Sequence, residues 1–454
     1  MFTLPRGTEI TLSLLSEFLD KHRHEVEHRY KKLAKAYESD HDILHAPAKP
    51  AYKPDNKIVV NFPKYITDTF NGFFIGNPIK TVADDEAVSA YVEFLGQYND
   101  QDDNNAELAK LMDIYGKGFE MYYTDENSNL CITYLSPVEA FMIYDDSIVE
   151  RPMYFVRRYT DREGYEYGSI SNDYGVRNFK ISGGVNWLAD ADADEEWQPH
   201  YFADVPATEF IENAERQGIF EPILSMANAY NKAISEKAND VDYFADSYLK
   251  ILGAEVDPDG IRFIRDNRVI NFTGENSENL VAEFMDKPSS DTTQENLLDR
   301  LERLIYQVSM VANISDESFG SASGISLRYK LQAMSNLAKT KERKFVSGMN
   351  RRYKLLFGHP ASKVPADAWM QLHYQFTPNI PANLAEETQI AAQMEGIVSH
   401  ETQLKVLSVV DNVQDELDRI EAENTAAMTT PRDMSILGFE MQPATDEELT
   451  DGID

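Results

Sequence analysis

At 454 residues, with 42% hydrophobic and 11% aromatic residues, the chain has the composition of a folded protein with roughly two to four structural regions. Its 77 Asp and Glu against 43 Lys and Arg leave a formal net charge of -34, which excludes a surface that attracts phosphate everywhere; any contact with nucleic acid must be local. Cys131 is the only cysteine, so an intrachain disulfide and a Cys-based zinc or iron-sulfur site are excluded, as suits a reducing compartment. Residues 1–20 lack the basic and apolar segments of a signal peptide, and no run of about 18 apolar residues occurs, so neither export nor a membrane span is expected.

Residues 11–38 carry Leu12, Leu15, Leu19, Val26, Tyr30 and Leu33 at helical spacing among charges, which predicts a polar helix ended by the Pro-containing stretch 46–54. Residues 58–62 are a short β-branched run, and Pro63 is placed to open a helix reaching Phe74. Two more helices are expected over 85–97 and 106–115. Between 118 and 181, aromatic-rich alternating runs at 120–123, 130–134, 140–144 and 153–159 are separated by Asn, Asp and Gly, and predict an antiparallel sheet. The run Asp190, Asp192, Asp194, Glu195, Glu196 looks like a metal loop but lacks the glycine and terminal Glu of calcium-loop spacing, which favours a solvated hairpin tip.

After Gly218 the spacing predicts a helix of about 30 residues, with Ile223, Ala227, Tyr230, Ile234, Val241 and Phe244 on one broad face. A β-rich insert follows, in which Ile261, Phe263 and Ile264 face Val269, Ile270 and Phe272. A second helix from Thr292 puts Leu297, Leu301, Leu304, Ile305, Val308 and Val311 on one stripe, and the small, polar residues 313–324 then form a loop. Residues 325–357 contain no Pro and predict one helix of about 33 residues, with Gly348 as a bend. Leu372, Tyr374 and Phe376 alternate like a strand, helices resume over 384–397 and 399–423, and the acidic residues 426–454 read as a mobile tail with a docking spot at 436–439.

Catalytic patterns are sparse. His24-Glu25-Val26-Glu27-His28 is a literal H-E-x-x-H string, which on a helix puts two imidazoles on one face beside a Glu and is the alternative reading, a zinc metallopeptidase. The helix around it reads as charged on all sides, with no third ligand or shielded pocket nearby in the sequence. Nucleotide-binding glycine loops and a nucleophile elbow are absent, so no catalytic residue, metal or cofactor is assigned. A basic cluster, Lys339, Lys341, Arg343, Lys344, Arg351 and Arg352, stands against the acidic background, suited to acids of a neighbouring subunit, to solvent or to DNA.

The run from Phe319-Gly320-Ser321-Ala322-Ser323-Gly324 through Ile325-Ser326-Leu327-Arg328-Tyr329-Lys330-Leu331, continued by Lys341-Glu342-Arg343-Lys344-Phe345 and Arg351-Arg352-Tyr353-Lys354, resembles the signature region of siphophage portal proteins. Asn61-Phe62-Pro63 with Gly76-Asn77-Pro78, and Ser399-His400-Glu401-Thr402 through Arg419-Ile420-Glu421, are similar to the family's two ends in the same order. The resemblance implies an α+β, mainly helical portal fold with wing, stem, clip and crown regions around an axial channel, in a ring usually of twelve subunits. It would divide the chain into wing (1–217), first stem helix (218–250), clip (251–291), second stem helix (292–311), tunnel loop (312–323), long wing helix and returning strand (324–383), crown (384–425) and mobile acidic tail (426–454). Ser315, Asp316, Glu317, Ser318, Phe319, Gly320 and Ser321 would be the loop positions in the channel. The implied role is a non-enzymatic conduit for double-stranded DNA during packaging, retention and ejection. Its implied partners are the large terminase subunit, head completion proteins, and scaffolding and major capsid proteins, without a membrane. Its implied place is the capsid portal vertex, and the host cytoplasm during assembly.

Overall fold

Residues 1–51, 53–188, 197–245, 249–252, 281–284, 291–315, 324–380, 384–407, 409–410 and 413–429 are described by the computed structural model, which divides into a first unit, Met1–Asn379, and a second, Ile380–Asp454. The acidic run 190–196, the facing apolar residues of 261–272, loop positions 316–321 and the tail beyond 429 lie outside the described residues.

In the first unit, β1 (Phe2–Leu4) precedes α1 (Leu12–Glu25), where the hydroxyl of Thr11 caps the helix by accepting from the Leu14 amide at 3.3 Å. A π-helical turn, Val26–Tyr30, leads into α2 (Lys31–Tyr37), so the helix expected over 11–38 is present with one wide turn. It is not charged on all sides, because Leu15, Phe18, Leu19, His22, Val26, Tyr30 and Leu33 form a buried face. Helix α3 (Phe62–Ile75) is capped by Asn61 with Pro63 in its first turn, and is followed by β2 (Lys80–Val82), α4 (Glu86–Tyr98) and α5 (Gln101–Tyr115). Gly116 ends α5 at a φ of +82°, and a Cβ there would stand 2.1 Å from the Arg216 carbonyl oxygen, so both conformation and space require glycine.

The β-rich part comprises β3 (Lys117–Thr124), β4 (Leu130–Leu135), β5 (Ala140–Asp145), β6 (Pro152–Thr160), β7 (Glu166–Ser171), β8 (Gly175–Ile181), β9 (Val185–Trp187), β10 (Gln198–Pro199) and β11 (Ala207–Ile211). The expected single antiparallel sheet is divided into two among the described residues. One has the order β1-β5-β6-β7-β8-β10, with β9 also on β8 and β1 parallel to β5; the other is β11-β3-β4. Alternation marks which residues face a core but not which strand pairs with which. One core joins α1 to the larger sheet, a second lies between the sheets, and the largest packs α3, α4 and α5 against β4, β11 and the long helix described next.

Helix α6 (Leu224–Ala245) is followed by β12 (Leu249–Leu252), which pairs antiparallel with β13 (Val281–Phe284), and then α7 (Asp291–Ser309). The first helix is therefore shorter than the 30 residues expected, and position 250 lies within a strand that frames the insert. Helix α8 (Gly324–Lys330) is separated from α9 (Gln332–Phe357) at Leu331, so the break lies there and α9 runs unbroken through Gly348. Strand β14 (His373–Gln375) returns to pair with β2.

The second unit contains α10 (Leu384–Gln393), α11 (His400–Leu404) and α12 (Val413–Thr429). Ser399 caps α11 as its sequence suggests, but the expected helix over 399–423 is two helices, and α12 continues four residues past 425 into what was read as tail.

Candidate functional site

The basic cluster divides by helix face. On α9 the buried positions Met334, Ala338, Lys341, Phe345, Met349, Arg352 and Leu356 recur every three or four residues, so two cations occupy places on the apolar stripe. Lys341 and Arg352 are each 0% exposed, enclosed within the chain rather than on the surface where the sequence suggested acids of a neighbouring subunit, solvent or DNA. Lys339 and Arg343 remain exposed and Lys344 half-buried.

Arg352 donates a two-pronged pair of bonds to Glu120 on β3, from Nε to Oε2 at 2.8 Å and from Nη2 to Oε1 at 2.5 Å, and a third to Asn105 on α5 at 2.7 Å. Tyr122 donates to the same carboxylate at 3.0 Å. Burial alone would depress the guanidinium, but Glu120 outweighs it and holds Arg352 above its ordinary range. Arg351, half-buried, donates to Asp204 at 2.9 Å and to the carbonyls of Val205 and Ala207, so it too is engaged inside the subunit. Between these anchors Gly348 lets α9 approach β11: a Cβ there would stand 2.4 Å from the Phe210 ring. Gly348 is thus a contact point, not a bend.

A second device fastens α6. The extended residues 56–60 join no sheet; instead the amides of Asn56, Ile58 and Val60 donate to Asn239 Oδ1 at 2.6 Å, Ser235 Oγ at 2.9 Å and Asn231 Oδ1 at 2.8 Å. Two extended residues rise about 6.6 Å and four helical residues about 6.0 Å, so every second amide meets every fourth side chain. The β-branched run read at 58–62 is therefore a strap on a helix.

Helix α7 has two apolar faces rather than the one stripe expected. Leu298 and Ile305 are buried in the subunit, whereas Leu297 and Val308 are 50% and 46% exposed, at heptad spacing with the half-buried Leu301 and Leu304. Beyond α7, Ser315 is the described member of the seven loop positions; it is exposed, and its Oγ lies 3.3 Å from the Tyr65 hydroxyl.

His24 and His28 stack at 4.0 Å on the solvent side of the first helix, with His28 Nδ1 donating to the His24 carbonyl at 2.9 Å. Glu25 accepts from Tyr30 at 2.7 Å, and its carboxyl is held low by the charge of Lys117 and the Tyr30 bond against the opposing effect of burial. Among the described residues no group of three His, Cys, Asp or Glu is placed to hold a metal ion, so the string gains no third ligand from them. No helix among the described residues is long and apolar enough to cross a membrane.

The chain is similar to a portal protein of Clostridium phage phiCD119, with 22% identity over 392 residues, covering 81% of this chain and 84% of that protein. Two solved structures show weaker likeness. The neck of an empty GTA particle computed with C6 symmetry has a TM-score of 0.45, 11% identity and coverage of 75% of this chain and 88% of that one. The neck of a native GTA particle computed with C12 symmetry has a TM-score of 0.44, 12% identity and coverage of 76% and 89%. The family model described as phage portal protein, SPP1 Gp6-like, matches residues 16–430, which include most of α1, the strap, α6, α7, α9 and the three helices of the second unit, and the chain belongs to that family of phage portal proteins.

Proposed function

We propose that the chain is one subunit of a twelve-membered portal ring at a single capsid vertex, through which double-stranded DNA is packaged, retained and later ejected. The family match over residues 16–430 carries this reading. The open apolar seam of Leu297, Leu301, Leu304 and Val308 supports it, because a helix apolar on two faces suits packing between its own subunit and another. In this reading α6 and α7 are the stem, the insert framed by β12 and β13 is the clip, residues 312–323 are the tunnel loop, and the second unit contributes the crown. The remainder, with α9 as its longest helix, is the wing.

The ring acts as a conduit rather than an enzyme. With a net charge of -34 per subunit it repels a phosphate backbone on average, so DNA slides while loops contact it locally. The energy for translocation comes from the large terminase subunit docked at the clip, the end that head completion proteins later occupy. Scaffolding and major capsid proteins surround the ring as the shell assembles in the host cytoplasm, and the ring stays in the virion. Filter binding of purified rings to duplex DNA over a salt series tests the conduit: the expected result is weak binding with a shallow salt slope. Tight binding at physiological salt with a steep slope would contradict it.

A further inference from the structure

Lys341 is enclosed with two carboxylates. Its Nζ lies 2.7 Å from Asp113 Oδ1, 3.0 Å from the Ala109 carbonyl and 3.3 Å from Glu212 Oε2, and all three side chains are 0% to 3% exposed. One ammonium and two ionised carboxylates would leave a net negative charge out of reach of water. Such a charge is more costly than taking up a proton. The hydrogen bonding has a matching gap, since Asp113 Oδ2 is a buried acceptor without a donor and Glu212 Oε2 has only the 3.3 Å approach of the Lys341 ammonium.

We propose that Asp113 and Glu212 bind one proton between them in the folded subunit, so that α9 is fastened by an ammonium, one carboxylate and one neutral carboxylic acid. A hydrogen on either carboxyl cancels the surplus charge. Lys341 is not the group that becomes neutral, because its ammonium lies 5.2 Å and 5.0 Å from the ring centroids of Phe70 and Phe74, whose faces favour a cation. The charged groups facing the site are Lys341 from α9, Asp113 from α5 and Glu212 just beyond β11, while α3 supplies the two rings. Burial, opposed by Lys341, drives both carboxyls upward, Asp113 the further of the two, in keeping with a retained proton.

Unfolding releases this proton at neutral pH. The contribution is therefore complete below the ordinary carboxylate range and is lost as pH rises toward the folded value. Across that window the unfolding equilibrium constant grows about tenfold per pH unit from this site. Either substitution Glu212→Gln or Asp113→Asn leaves one carboxylate for one ammonium and abolishes the proton.

Infrared spectra of the full chain in heavy water at neutral pH, where the carbonyl stretch of a protonated carboxyl is resolved from carboxylate bands, test the site directly. The expected result is such a band in the unsubstituted protein that disappears in each single variant. Its absence from the unsubstituted protein, or its persistence in both variants, would overturn the proposal. The unsubstituted spectrum suffices to do so should a variant fail to fold.

Discussion

Arg352 shows how one buried side chain can fix the position of a long helix. Its guanidinium is held through Nε and Nη2 by Glu120 and Asn105, and removing Arg352 or Glu120 leaves the other charged and unsolvated. Arg352→Ala should therefore cost about 3–5 kcal/mol, whereas Arg352→Met combined with Glu120→Leu should cost less than either single change. Denaturant unfolding of the unsubstituted protein, Arg352→Ala, each single change Arg352→Met and Glu120→Leu, and their combination checks this, and additive losses would count against the pair. His22 makes a pH-dependent contribution of opposite sense to that of the shared proton. Buried and donating from Nε2 to the Pro137 carbonyl at 2.8 Å, it is pushed down to about 4, mainly by burial. Its contribution is intact above the unfolded value of 6.5 and is lost as pH falls through about 4, by about 3 kcal/mol at most. His22→Gln should flatten the acid limb of the stability curve between those values, and an unchanged limb would exclude the assignment. The buried places of Lys341 and Arg352 are not legible from residue type, which suggests surface cations. The usable signal was their register, as both fall on the stripe marked by Met334, Phe345 and Met349.

Among the elements, those set by local chemistry were the most legible. Pro63 and Ser399 open helices where the sequence places them, Thr11 and Asn61 add side-chain caps, and the order of helix, insert, helix and long helix is present in the structure. Elements defined by distant partners were not. Residues 56–60 have strand composition but find their hydrogen bonds on the side chains of Asn231, Ser235 and Asn239, which no local pattern announces. Asn231 also donates to His41 Nδ1 at 3.0 Å, so Asn231→Ala removes two bonds from a buried site and should cost about 1–3 kcal/mol. Amide hydrogen exchange should quicken at Val60 more than at Asn56, while equal rates in both proteins would mean the ladder does not hold the strap. Gly348 suggests a bend from sequence alone, yet close contact with Phe210 on β11 is the physical reason for a glycine there.

For the whole molecule, an acidic charge of -34 opposes self-association at low salt, and the proposed ring must overcome it through specific surfaces. In the proposed ring the α7 seam is one such surface. Leu297→Glu together with Val308→Glu changes exposed positions and should leave the subunit's thermal unfolding nearly unchanged while shifting assembly toward single subunits. The α+β, mainly helical class and the portal family were both legible in the sequence, the latter through the order of several weak segments rather than any one motif. The most direct test of the ring is the mass and shape of the purified protein by light scattering and negative-stain microscopy across a salt series. The account predicts rings of about a dozen subunits with a central hole, favoured as salt screens the repulsion between subunits. Single subunits at every salt concentration, with no rings in the micrographs, would contradict it.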